Sequence, residues 1–173
     1  DPARYRAVLC LFRQGWIQER SESRGVRTHI IPTCGMTDWR WALRFRRLLD
    51  EEHVDLIHAH EFDANVQGTF VAAISGIPLV ATVHGKHYFW EKLRRRLAYR
   101  WVSRRATMVA VSEDLKKFIV EKVGVCPERI TVLYNGVDVP PPPTQFDVDA
   151  CRREFGLPEK DQIVGVVGNL YPV

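Results

Sequence analysis

The sequence predicts an α/β fold, a Rossmann-like doubly wound parallel sheet with helices packed on its faces. Two observations carry that prediction. Short apolar runs alternate with longer amphipathic stretches, giving a strand-then-helix unit of about 25 residues. The short runs are continuously apolar rather than alternating, as strands buried on both faces of a parallel sheet are. A third observation sets the scale: 173 residues with 46% hydrophobic content suit one medium domain, or one domain and a piece of a second.

Taken in order, "AVLCLF" (7–12) reads as a strand buried on both faces. "WIQERSES" (16–23) reads as a short helix stopped by Gly25. "RTHIIP" (27–32) is β-rich and ends at a proline. In "DWRWALRFRRLLDEE" (38–52), Trp41, Phe45, Leu48 and Leu49 recur at helical spacing and Asp38 can cap the start. "VDLIHAH" (54–60) is a strand, and "NVQGTFVAAISG" (65–76) a small-residue helix ending at glycine. "PLVATVH" (78–84) and "TMVAVS" (107–112) are strands on either side of a helix in "WEKLRRRLAYRWVSRR" (90–105). Ser112 can cap the helix "EDLKKFIVEKVG" (113–124), and "RITVLYN" (129–135) closes the series. The predicted Rossmann-like domain therefore spans 1–138. Four consecutive prolines then mark 139–146 as an extended linker, because proline fixes φ and donates no backbone hydrogen bond. Residues 147–173 read as the start of a second domain: a short helix in "DACRREFGLP", then a fresh apolar strand in "QIVGVVGNLYPV".

Composition excludes several classes. No apolar run approaches the length of a membrane-spanning helix, and "DPARYRAVLC" lacks the apolar core of a signal peptide. The four cysteines (Cys10, Cys34, Cys126, Cys151) are widely spaced, without a CxxC pair, which favours a reducing, cytoplasmic setting. A net charge of +4 is mild, and no recognition motif points to nucleic acid.

Open parallel sheets bind ligands at the carboxyl ends of their strands. His58 and His60 close one strand, on the same face by their i, i+2 spacing, and His84 closes another. The residues alone leave two readings open: polar terminators held by nearby loops, or a reacting edge. A zinc site is disfavoured, since beyond the neighbouring Glu61 and Asp63 no ligand stands at a telling spacing. No G-x-S-x-G elbow supports a serine triad. Gly85 allows close approach to the backbone, and Lys86 and His87 are donors suited to an anion, although the chain has no complete G-x-G-x-x-G or Walker loop. From Lys86 to Arg105 the chain is strongly basic, with Trp90, Tyr99 and Trp101 interleaved. Leu93, Leu97 and Trp101 form a stripe expected to face the sheet. The basic face over 92–105 reads either as a solvated surface or as a seat for an anionic membrane surface or acceptor.

Four segments, in order and spacing, carry a resemblance: "DLIHAHEF…GIPLVATVHG" (55–85), "RRATMVAVSEDLKKFI" (104–119), "ERITVLYNGVD" (128–138) and "GLPEKDQIVGVVGNLYP" (156–172). Together they resemble the family 4 glycosyltransferases, which have two Rossmann domains in the GT-B arrangement. The resemblance implies a retaining transfer of sugar from a nucleotide-sugar donor to a glycan, lipid-linked or small-molecule acceptor, without a metal ion or other cofactor. It implies that this chain is mainly the amino-terminal, acceptor-side domain. His84 then lies in the cleft as the catalytic candidate. His60, Glu61, Gly85, Lys86, Ser112 and Asn169 are the substrate-binding candidates.

The departures from the family pattern concern the cations and the ends. Asn169 stands where the family often has arginine, and a neutral amide cannot offset the growing charge of a diphosphate leaving group. The family's first strand, its Gly-rich loop, the phosphate-holding lysine and the acidic donor motif are not in the sequence. The expectation is an incomplete, inactive and poorly stable fragment of a cytoplasmic enzyme, peripheral to the inner face of the membrane. The alternatives are a nucleotide-sugar epimerase of the same fold and a non-enzymatic module for an anionic glycan or lipid.

Overall fold

A computed structural model of the chain describes residues 3–35, 37–86, 91–137, 141–142, 144–158 and 160–165, with the backbone alone at 145 and 146. The chain divides into two compact units, Asp1–Asn135 and Gly136–Val173.

The first unit is α/β with parallel strands. β1 (Val8–Leu11) and β2 (Arg27–Ile30) pair in parallel across α1 (Trp16–Glu22). Then follow α2 (Trp39–Glu51), β3 (Ile57–His60), α3 (Glu61–Ser75), β4 (Leu79–Val83), α4 (Leu93–Arg105), β5 (Thr107–Ala110), α5 (Glu113–Phe118) and β6 (Ile130–Val132). β3 to β6 form a second parallel sheet, ordered as in the sequence. α3 packs on α4, and α4 on the turn Ile119–Val123 that follows α5, the shared face that crossovers of one hand between sequential neighbours produce, and α2 packs beside α3.

The core lies between these helices and the strands. Trp41, Phe45, Leu48 and Leu49 of α2, Val71 of α3, Tyr99 and Val102 of α4 and Leu115 of α5 meet Ile57, Ala59, Leu79, Ala81, Val83, Met108 and Ala110. Each such large side chain contributes about 1.5–3 kcal/mol by leaving water. Gly68 lets α3 come close to the sheet, for a Cβ there would stand 3.2 Å from Leu79 Cδ1 and 3.6 Å from Ala59 Cβ. The capping signals hold. Asp38 accepts a hydrogen bond from the Trp41 N–H at 3.0 Å, and Gly76 ends α3 in the left-handed region at φ 71°.

Between the two pieces of sheet the pairing stops. Among the described residues β1 pairs only with β2, and β3 only with β4. Their free edges wall a cleft of about 410 Å³ lined by the successive residues 8–12 and 56–60. Successive residues point to opposite faces of a strand, so it is the edges that line this cleft. Its floor is Trp41, Phe45, Leu48 and Leu49 of α2 with Ala64 and Gly68 of α3. The two edges run the same way. Arg6, just before β1, bonds Glu52 at the end of α2, next to where Val54 N–H donates to Leu49 O at 3.0 Å. Phe12, just after β1, packs on Trp41 at the start of α2. Among the described residues an open cleft between two parallel edges thus separates the two sheets.

Four expectations are corrected. β1 is half-exposed throughout rather than buried on both faces, because it borders the cleft. α4 starts at Leu93, not Trp90, which lies outside the described residues. Leu93 and Leu97 are exposed and Trp101 only half-buried; the sheet-facing residues of α4 are Tyr99, Val102 and Ser103. The helix expected over 113–124 winds as α5 and then as a π-helical turn, Ile119–Val123, ended by Gly124 at φ 78°.

In the second unit, α6 (Gln145–Glu154) begins four residues earlier than "DACRREFGLP" suggested. Thr144 and Asp147 form a capping box, each side chain bonding the other's backbone N–H. The strand expected from Gln162 does not form over 162–165. Residues 166–173, Asn169 among them, lie outside the described residues.

Candidate functional site

The carboxyl ends of β3 and β4 bring histidines together. Period-2 geometry sets His58 and His60 on one face of β3, ring centroids 4.2 Å apart, opposite Val80 and Thr82 of β4. His58 Nε2 hydrogen-bonds the Thr82 hydroxyl at 2.8 Å. His60 Nδ1 lies 2.8 Å from His84 Nε2, the rings stacked with centroids 5.1 Å apart. One of these two nitrogens donates and the other accepts, so a single proton sits at the contact. Among the described residues no hydrogen bond is made by His60 Nε2 or His84 Nδ1. Burial disfavours the charge on His58, and His84 adds repulsion, so its pKa falls below the usual 6.5. His60 moves the same way, through burial first and then His58 and His84.

A buried brace stands behind the pair. Asn65 Nδ2 donates to the Thr82 carbonyl at 3.0 Å and to the Tyr99 hydroxyl at 3.3 Å. The Tyr99 ring stacks on Phe62, nearly parallel, with centroids 4.9 Å apart. Burial pushes the Tyr99 phenol well above its ordinary pKa.

Glu61 follows His60 at the strand-to-helix turn, in the left-handed region at φ 68°. For a residue with a Cβ that conformation costs roughly 1–2 kcal/mol. The turn sets a half-buried residue directly after His60, and as an acid in the first turn of α3 Glu61 suits the positive end of the helix dipole.

The other candidates are placed differently. Gly85 forms the bend after His84. Lys86 Nζ pairs with Asp114 Oδ2 at 2.6 Å and lies 5.7 Å over the Phe118 ring, so its charge is already met by α5. The Ser112 hydroxyl accepts from Leu115 N–H at 3.1 Å and caps α5. Among the described residues no hydrogen bond joins Lys86 or Ser112 to the histidine pair. His87 is outside the described residues, so the anion reading of "GKH" rests on Gly85 and Lys86. No cluster of three or more His, Cys, Asp or Glu suited to a metal ion occurs among the described residues.

The family model for Glycosyltransferase Family 4 matches residues 3–140, most of the chain. The chain belongs to glycosyltransferase family 4. Among family relatives, it is 27% identical over 162 residues to the UDP-Gal:alpha-D-GlcNAc-diphosphoundecaprenol alpha-1,3-galactosyltransferase of Escherichia coli, covering 85% of this chain and 41% of that protein. It is 26% identical over 162 residues to the D-inositol 3-phosphate glycosyltransferase of Mycobacteroides abscessus, covering 86% of this chain and 36% of that protein. The chain thus spans about two fifths of the curated relatives it matches.

Two solved structures share the fold. Anabaena HepE in complex with UDP-glucose matches with a TM-score of 0.71 at 24% identity, over 90% of this chain and 43% of that one. A glycosyltransferase from Rickettsia africae matches with a TM-score of 0.74 at 13% identity, over 92% and 43%. The Rossmann-like half of the GT-B fold is therefore the architecture of this family 4 chain.

Sequence reasoning found the histidines but missed what holds them. Thr82 is a hydroxyl inside the apolar run "LVATV", and Asn65 an amide inside a small-residue helix. A polar residue where the pattern asks for an apolar one was the available signal. Tyr99, 34 residues from Asn65, gave none.

Proposed function

We propose that this chain is the acceptor-side part of a glycosyltransferase moving a sugar from a nucleotide-sugar donor to an acceptor, with His84 at the reacting edge. The observation that carries the reading is the His60–His84 hydrogen bond at 2.8 Å, at the carboxyl edge of a family 4 domain. In the transfer, the bond from the anomeric carbon to the donor diphosphate breaks and a bond to an acceptor oxygen forms. The acceptor's proton passes to the departing diphosphate oxygen, which leaves with the bonding electron pair. His84, its Nε2 tied to His60, offers Nδ1 to a hydroxyl of the transferred sugar or the acceptor. Retention of configuration and independence of a metal belong to this reading.

A uridine diphosphate sugar is the donor to try first, since one relative is named for UDP-Gal and a structural neighbour holds UDP-glucose. A lipid-linked acceptor, met at the cytoplasmic face of a membrane, is supported by the diphosphoundecaprenol in the relative's name. No helix among the described residues is long and apolar enough to cross a membrane. In this reading the cations for the donor diphosphate come from the part of the relatives that this chain does not span.

The test is transfer from a UDP-sugar by the full-length gene product and its His84→Ala variant. A positioned catalytic group predicts a fall in turnover of roughly 100-fold or more. Near-normal turnover removes His84 from the chemistry.

A further inference from the structure

The outward turn of Leu93 and Leu97 has counterparts on the two neighbouring helices. Each of three adjacent helices keeps an apolar pair, one turn apart, in solvent. They are Trp39 and Leu43 on α2 (65% and 56% exposed), Phe70 and Ile74 on α3 (52% and 49%), and Leu93 and Leu97 on α4 (65% and 52%). Trp39, Phe70 and Trp101, one from each helix, meet around a groove of about 330 Å³ with Ala42 and Val66. The pairs therefore belong to one surface. Exposed apolar residues scattered singly are ordinary, but a patch running across three helices marks an interaction site.

The charge on this surface has one dominant sign. Arg40 and Arg46 of α2 and Arg94, Arg100, Arg104 and Arg105 of α4 are exposed, and among the described residues none has a carboxylate partner. The acids on the same helices are fewer: Asp50 and Glu51 at the far end of α2, Glu51 being paired with Arg47, and Asp63 with the half-buried Glu61 in the first turn of α3. A small soluble anion would need the cations alone. A bilayer uses both features, with aromatic and aliphatic side chains entering the acyl boundary while arginines reach lipid phosphates.

We propose that the outer face of α2, α3 and α4 is a docking surface for an anionic lipid bilayer. It deepens the lipid-linked-acceptor reading, yet binding is read without turnover, so either can fail alone. α2, α3 and α4 follow β2, β3 and β4, so their first turns, which carry Trp39 and Leu93, stand at the carboxyl end of the sheets. Docking by this face holds the histidine edge at headgroup level.

The experiment is co-sedimentation of the purified protein with vesicles of phosphatidylcholine, with and without phosphatidylglycerol, together with the tryptophan emission of the mixtures. Binding is expected only with phosphatidylglycerol, with a blue shift that Trp39→Ser reduces. The triple variant Arg94→Glu/Arg100→Glu/Arg104→Glu and the double variant Phe70→Ser/Leu97→Ser should each lower partitioning by about 10-fold or more. All these positions are exposed, and circular dichroism melts check folding. For any variant that fails to fold, the wild-type emission shift decides. If the charge variant loses binding while the apolar variant keeps it, with no blue shift in the wild type, the attraction is purely ionic and the proposal falls. It also falls if the wild type ignores the vesicles while the apolar variant turns a dimer into a monomer in sedimentation velocity. The face would then be a contact between two copies.

Discussion

His60 and His84 cannot both carry a proton at their contact. The 2.8 Å bond persists only while one of the facing nitrogens is bare. Protonating His58 or His60 also sets charge where burial and neighbouring imidazoles resist it. The linkage has a definite sign. Both pKa values are lower in the folded chain than the ordinary 6.5, so the unfolded chain takes up protons first as pH falls. Their contribution to stability is complete above about pH 6.5 and is lost as the pH drops through the folded values. Urea midpoints between pH 8 and pH 5 should decline for the wild type, and more shallowly for His58→Gln/His60→Gln. Parallel declines would mean that the pair does not titrate with folding. The positions of these residues were legible because a strand has a period of two and "HAH" ends one. Their tie to His84, 24 residues away, was not, because only the β3–β4 register creates it.

At the scale of elements, the turn from β3 into α3 concentrates strain. Glu61 holds φ 68° without glycine's freedom, a cost that marks functional edges more often than plain turns. Glu61→Gly and Glu61→Ala both delete the carboxylate, but only alanine keeps the steric penalty. The glycine variant should be the more stable by about 1 kcal/mol in chemical denaturation. If alanine equals or exceeds glycine, the turn is unstrained. α4 shows where pattern reading fails. Its sequence offers two stripes, Leu93-Leu97-Trp101 and Tyr99-Val102-Ser103, and hydropathy favours the first. The second is buried because Asn65 satisfies the Tyr99 hydroxyl and Phe62 covers its ring, partners that no local window contains. α2 was read correctly because its four core residues all fall on one stripe, with arginines around the rest.

Over the whole molecule, the succession of strands and helices along the chain and the family were legible, since each strand–helix unit announces itself. The break in the sheet was legible only as an expectation about a strand not in the sequence. Its physical form, five successive residues of each edge facing one apolar cleft, needed coordinates. Glu52 bridges that region from the side. It draws Arg6, Arg27 and His29 to one carboxylate. Burial opposes its charge, and the bonds from Arg27 and His29 outweigh the burial, holding its carboxyl below the ordinary value. That cluster ties β2 and the approach to β1 to the end of α2, while the β1–β3 pairing is left open.

The cleft has a direction as well as a shape. Both walls run from the Arg6 end to the Phe12 end, so an incoming strand meets two templates that agree on where its amino terminus belongs. In the language of split proteins, the cleft is a socket for a single strand, keyed so that the strand enters one way round. Joined to the amino terminus by a linker of about a dozen residues, long enough for a crossover, a strand rich in valine and isoleucine should raise the thermal midpoint. Joined by a two-residue turn it can run only backwards, and the midpoint should stay where it was.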